Sequence, residues 1–304
     1  MRNNPRPGVI SSLIALMFIL SLFSGVVAAQ PEEKIDKDKE QYAQYKIKYE
    51  NTKKKFENAK DAFENARRLK NVNESDELKL KARDYLISLI DHTVAHLEVL
   101  KNRVELREEK EIIPFDASAV IDAHIAQLEQ IRANVQKATT YPELAVAHRE
   151  LAALWEKIRL ETRYYVGIVL NYRIDKFIEK TDNVTARMDN VTRQLKDKGI
   201  DTSRLQDDED RFKYLVQEAR ISQQKTVDLF TTHNGFANDG TVTDAKAAKE
   251  FLLQGDKSQR ATIKNLKDAS KAVLKFVRDF RQISRGEVRI EGSATETLSG
   301  NRGG

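Results

Sequence analysis

Cysteine is absent from the chain. Disulfide frameworks, thiolate metal sites and cysteine nucleophiles are therefore excluded, and stability has to come from packing. Proline (5 residues) and glycine (12) are scarce for 304 residues, so little interrupts the backbone, and signals for strands are nearly missing. Charge of one sign is also lacking: removal of residues 1–29 takes away only Arg2 and Arg6, leaving 50 Lys and Arg against 47 Asp and Glu. The signs are interspersed, which reads as solvated helix faces with i, i+4 pairs rather than as a nucleic-acid surface. Glycine-rich phosphate loops, a GxSxG elbow and spaced nucleophile–base pairs do not occur, so the reading is non-enzymatic and no cofactor is expected.

What remains is helical periodicity. From Pro142 to Gly199 no proline occurs and Gly167 is the one internal glycine, so a single helix of roughly 85 Å is expected. Its second half places Leu170, Ile174, Phe177, Thr181, Val184, Met188, Val191 and Leu195 at alternating steps of four and three, a seam that needs a partner helix. The segment YYVGIVLNY, Tyr164 to Tyr172, is apolar nearly all round. It reads as a waist buried on every side, with Gly167 admitting a neighbouring backbone or acting as a hinge.

Five further helices are predicted. Residues 34–70 carry an aromatic-rich stripe through Tyr42, Tyr45, Tyr49, Phe56 and Phe63, and residues 76–110 a stripe through Leu86, Ile90, Leu97 and Val104. Asp116 caps a helix to Lys137, Asp201 or Ser203 starts one that fades at His233, and Thr243 or Asp244 starts the last, to Ile283. The acidic run Asp207, Asp208, Glu209 and Asp210 reads as macrodipole partners near a helix start. The fold class is all-α: an elongated antiparallel helical bundle or coiled coil of about six helices with one very long central helix. Expected units are 30–74 (an N-terminal coiled-coil helix), 75–168 (a three-helix bundle), 169–283 (a C-terminal bundle) and 284–304 (a polar, disordered tail).

The N-terminus has the layout of an export signal: Arg2 and Arg6, an apolar run from Val9 to Phe23, and small residues Val26, Val27, Ala28 and Ala29. An uncleaved anchor over residues 9–29 is the rival. Either way the body of the protein is expected outside the cytoplasm, secreted or attached to the cell envelope, touching membrane only through this segment.

Candidate site residues are few. His92 and His96 lie four apart on one helix face, where both imidazoles can reach one metal ion, with His124 and His148 on neighbouring helices. The glutamate of an HExxH site is missing because residue 93 is Thr, and no carboxylate stands at fixed spacing, so flank or surface histidines are the preferred reading. The stretch HNGFANDGTVTD fails as a calcium loop, since Gly235, Ala237 and Lys246 fall at ligand positions; a turn into an N-cap fits better. Asn73, Asn183 and Asn190 open glycosylation sequons, the last two one heptad apart and exposed on one side.

The stretches DHTVAHLEVLKNRVE (91–105) and ELAVAHRELAALWEKIRLETRYYVG (143–167) resemble segments of uncharacterised, signal-bearing helical proteins of archaea and small-genome bacteria. The resemblance implies a prokaryotic envelope protein and brings no functional residue. Three functions follow as expectations: an envelope scaffold or interaction protein with a protein partner or a second copy along Leu170 to Leu195; an extracytoplasmic holdase-type chaperone with an open apolar groove; or a helical metal-binding protein through His92 and His96.

Overall fold

The computed structural model describes residues 32–68, 76–105 and 112–284. They form an all-α fold of six helices: α1 (Glu32–Arg68), α2 (Asp76–Glu105), α3 (Ala117–Lys137), α4 (Tyr141–Asp197), α5 (Ser203–Thr232) and α6 (Ala245–Ser284). The export segment, Asn73 and the tail from residue 285 lie outside the described residues. None of the described helices is long and apolar enough to cross a membrane.

Local chemistry sets the helix ends. Asp116 caps α3 by accepting the Ala119 N–H at 3.0 Å. Thr140 and Glu143 form a reciprocal capping box at the start of α4, with Pro142 in the first turn, where its missing N–H costs nothing. Gly199, at φ +73°, takes the left-handed position just past α4 that a Cβ would strain. Asp244 accepts the Lys246 and Ala247 N–H groups and so begins α6.

The 57 residues of α4 serve two bundles. Its first half buries Leu144, Leu151, Leu154 and Ile158 against α2 and α3. The aromatic helix α1, expected as a unit of its own, lies along α2. The second half of α4 packs on α5 and α6, which also pair with each other. A short turn makes α4 and α5 antiparallel, and the loop from His233 to Asp244 does the same for α5 and α6. Hence α4 and α6 run parallel, in a three-helix coiled coil.

Between the bundles, Leu160, Tyr164 and Tyr165 are buried as a waist requires, while Tyr172, at its end, is exposed. Phe115, Phe236 and Phe251 wrap Tyr164, whose ring centroid lies 4.2 Å from that of Phe236. Gly167 admits a side chain, not a backbone. The Phe230 ring fills the space where a Gly167 Cβ would stand 2.7 Å from Phe230 Cζ, and Gly255 on α6 meets the same ring from the other side. Glycines on two helices thus make one socket for a single ring, which joins α4, α5 and α6 at the junction.

Candidate functional site

Seven-residue spacing keeps side chains in rows, so exposure along α4 separates its rows. The core of the second bundle is lined by Asn171, Ile178 and Thr192 in one row and by Ile174, Thr181 and Met188 in the next. The seam read from the sequence is therefore split lengthwise. Its Ile174, Thr181 and Met188 are buried, and Leu195 is half-buried against the Met188 cluster. The companion row of Leu170, Phe177, Val184 and Val191 sits on the flank: Leu170, Val184 and Val191 are half-buried, and Phe177 is 48 % exposed. Phe177, expected on the seam, is thus corrected to the outer side, and Ile178 takes the inward place. The row shifts because α4 packs on two helices at once, which turns its buried stripe towards α5.

Polar groups fill much of that core. Gln259 of α6 donates to Gly167 O at 2.9 Å and to Asn171 Oδ1 at 2.7 Å, and Gln223 of α5 donates to Asn171 O at 3.2 Å. Thr226 donates to Ser258 Oγ, which donates to Ser222 O. Lower down, Thr192 donates to Glu209 at 2.9 Å, and Lys213 bridges Glu209 and Asp189. Burial pushes the Glu209 carboxyl up, and its hydrogen bond with Asp189 adds to this. The same hydrogen bond, helped by Lys213, pulls Asp189 down. The acidic run is accordingly corrected: Asp208 and Glu209 lie past the first turn of α5, are buried, and pair with Lys275 and Lys213 instead of answering the helix dipole.

A second polar cluster ties the waist. Glu161 is 2 % exposed. One of its carboxylate oxygens meets His124 Nε2 of α3, and the other accepts the Val242 N–H at 2.9 Å. One buried side chain therefore links α3, α4 and the loop from His233 to Asp244. That loop is folded by a bridge between Phe236 and Val242 and by Asp239, which accepts both the N–H and the hydroxyl of Thr241. The Tyr165 hydroxyl and His124 Nδ1 are buried beside it without hydrogen-bond partners among the described residues. Burial, then the Glu161 charge, raise the Tyr165 phenol.

His92 and His96 come together on α2, but against rings. His92 stacks on Phe56 at an interplanar angle of 6°, with Tyr49 at 4.8 Å; His96 contacts Tyr49 at 5.9 Å and Trp155 at 6.3 Å. Both imidazoles are lowered to about 4, His96 by burial and His92 by burial first and then by the charges of His96 and Lys53. A neutral ring is what a metal needs, yet no third His, Asp or Glu completes a ligand group among the described residues. His124 is held by Glu161, and His148 is exposed on another face. Asn183 and Asn190 are both exposed on α4.

Compared with known protein families, with curated proteins and with solved structures, the chain matches none.

Proposed function

We propose that the protein is a non-enzymatic helical scaffold, exported to the cell envelope, that holds a protein partner along its second bundle. The observation that carries this reading is the row Leu170, Phe177, Val184 and Val191, apolar at every seventh residue yet incompletely covered by α5 and α6. Repeated apolar residues on a solvent-facing flank are costly to leave open and mark recognition surfaces. The basic and apolar N-terminal layout supports export. The lack of native cysteine provides the test. Phe177→Cys and, on the outer face of α5, Tyr214→Cys each create a unique attachment point for a short photo-crosslinker in cells. The expected result is an adduct larger than the monomer from position 177 and none from 214, with the protein in the extracytoplasmic fraction. Equal labelling at the two positions, no adduct at either, or a cytoplasmic protein would each refute the reading.

A holdase-type chaperone uses the same half-open row, which is the observation favouring it. Suppression of aggregation of a reduced, unfolded client at equimolar ratio, lost in Val184→Glu, would select the chaperone over the scaffold.

A further inference from the structure

The three flanks of the second bundle differ in kind. Between α4 and α5 the flank is closed by ion pairs, Asp182–Arg220 at 2.6 Å and Asp189–Lys213 at 2.7 Å. Between α5 and α6 it is closed by Lys275–Asp208 and by the hydrogen bonds of Ser222 and Ser258. Between α4 and α6 the ion pair Arg163–Asp256, at 2.6 Å, stands at the waist end. Heptad steps from Arg163 give Leu170, Phe177, Val184 and Val191; steps from Asp256 give Ile263, Ser270 and Val277. Below its closing pair this flank is a mainly apolar groove, with Ser270 the polar member of its two rows. Leu170 and Ile263 pack on one cluster at its upper end, while Phe177 and Val277 remain 48 % and 36 % exposed further down.

The rows bordering the groove are of one sign. Outward of the apolar row on α4 stand Arg173, Lys180 and Arg187; outward of that on α6 stand Arg260, Lys267, the exposed Leu274 and Arg281. No Asp or Glu interrupts either pair of rows from Leu170 to Gln194 on α4 or from Arg260 to Arg281 on α6. This departs from the rest of a chain whose signs are mixed, and whose other two flanks carry acid–base pairs. Lys180, Arg187, Arg260 and Lys267 make no ion pair among the described residues.

We infer that the α4–α6 groove is the seat of a fourth helix supplied by a partner protein: an amphipathic helix with an apolar heptad seam and Glu or Asp along both edges. The apolar row receives the seam, and the two basic rows meet the acidic edges, as charged flanks set partner choice in coiled coils. From Leu170 to Val191 the groove runs about 32 Å, or three heptads of partner helix. A second copy docking by the same groove would set basic rows against basic rows, which is repulsive. An anionic membrane matches the charge, but a flat surface reaches Phe177 and Val277 while missing much of Leu170, Val184 and Val191, which are half-buried against the core clusters. This inference rests on the scaffold reading and adds the chemistry of the partner.

The test uses the full mature chain and a fluorescent synthetic peptide of about three heptads, Leu at the seam and Glu at both edges, with a Lys-edged peptide of the same seam as its counterpart. Anisotropy titrations are expected to show the Glu-edged peptide binding at least about ten-fold more tightly than the Lys-edged one, roughly 1.4 kcal/mol. Val184→Glu is expected to abolish binding with the helical circular dichroism unchanged. Lys180→Glu with Lys267→Glu, both on the surface, reverses the preference between the peptides. Equal binding of the two peptides, or a preference indifferent to the charge reversal, would overturn the inference. So would a dimer in sedimentation that Val184→Glu dissociates, or binding to phosphatidylserine vesicles with none to either peptide. If the Glu-edged peptide does not bind while Phe177→Cys still crosslinks, the acidic-helix inference falls and the scaffold reading stands; if both fail, both fall.

Discussion

Acidification should loosen the first bundle through His92 and His96. Their rings are packed against Tyr49, Phe56 and Trp155 by virtue of being flat and uncharged, and both imidazoles are lowered from 6.5 to about 4. In the unfolded chain they protonate near 6.5, so between pH 6.5 and about 4 the unfolded state binds more protons than the folded one. Stability therefore falls as pH drops through that window and is fully present above it. At 1.36 kcal/mol per pKa unit the loss is on the order of 3 kcal/mol per ring. Residual solvent contact at the rings, and a cation–π gain of roughly 0.5–1 kcal/mol against Tyr49, reduce it. Glu209 and Asp175 have the opposite sign, since a raised carboxyl adds stability on acidification. The comparison must thus be with a variant and not with pH alone. Urea titrations at pH 7.5, 6.5, 5.5 and 4.5 on wild type and on His92→Phe with His96→Phe are expected to diverge below pH 6.5, the variant losing less. Because α1 meets α2 through these rings, helical signal from α1 should be lost first. Parallel curves for the two proteins, or histidine ring protons titrating near 6.5 by NMR, would refute the reasoning.

Glu161→Ala removes one half of a buried pair and strands His124 and the Val242 N–H; a loss of about 3–5 kcal/mol is expected in chemical denaturation, with the 233–244 loop gaining hydrogen exchange. Gly167→Ala puts a methyl into the Phe230 ring and is expected to cost about 1–3 kcal/mol, measured as a shift in the urea midpoint. Most of that cost should disappear in a Phe230→Leu background, and a double-mutant cycle showing no coupling would contradict the socket. Gln259→Leu leaves the Asn171 side chain and Gly167 O without their donor, and a loss of about 1–3 kcal/mol is expected in the same assay.

How far the fold could be read from the sequence depended on how local its causes are. The capping box of Thr140 and Glu143, the Asp116 cap and the turn at Gly199 each depend on residues within four positions, and the helix ends follow from them. The polar core could not be read in this way, because its reasons are distant. Asn171 becomes a core residue only when Gln223 and Gln259, 52 and 88 positions away, arrive to bond it. Glu161 is one carboxylate among 47 acidic residues until His124 and Val242 close around it. Hydrophobicity alone ranked the row of Leu170, Phe177, Val184 and Val191 above the row of Asn171, Ile178, Thr185 and Thr192, and the folded chain buries the second more deeply. A sequence selected for the isolated fold alone would place its apolar row inward and its polar row out, since local and global preferences then agree. Here the more polar row is matched by glutamine, threonine and glutamate from α5 and α6, so the inversion is built into three helices at once. The apolar row is kept on a flank edged with lysine and arginine. Both facts have one physical cause if the bundle is three-quarters of a four-helix assembly, with the polar layers setting the register of the resident helices and the apolar row reserved for the helix that completes it.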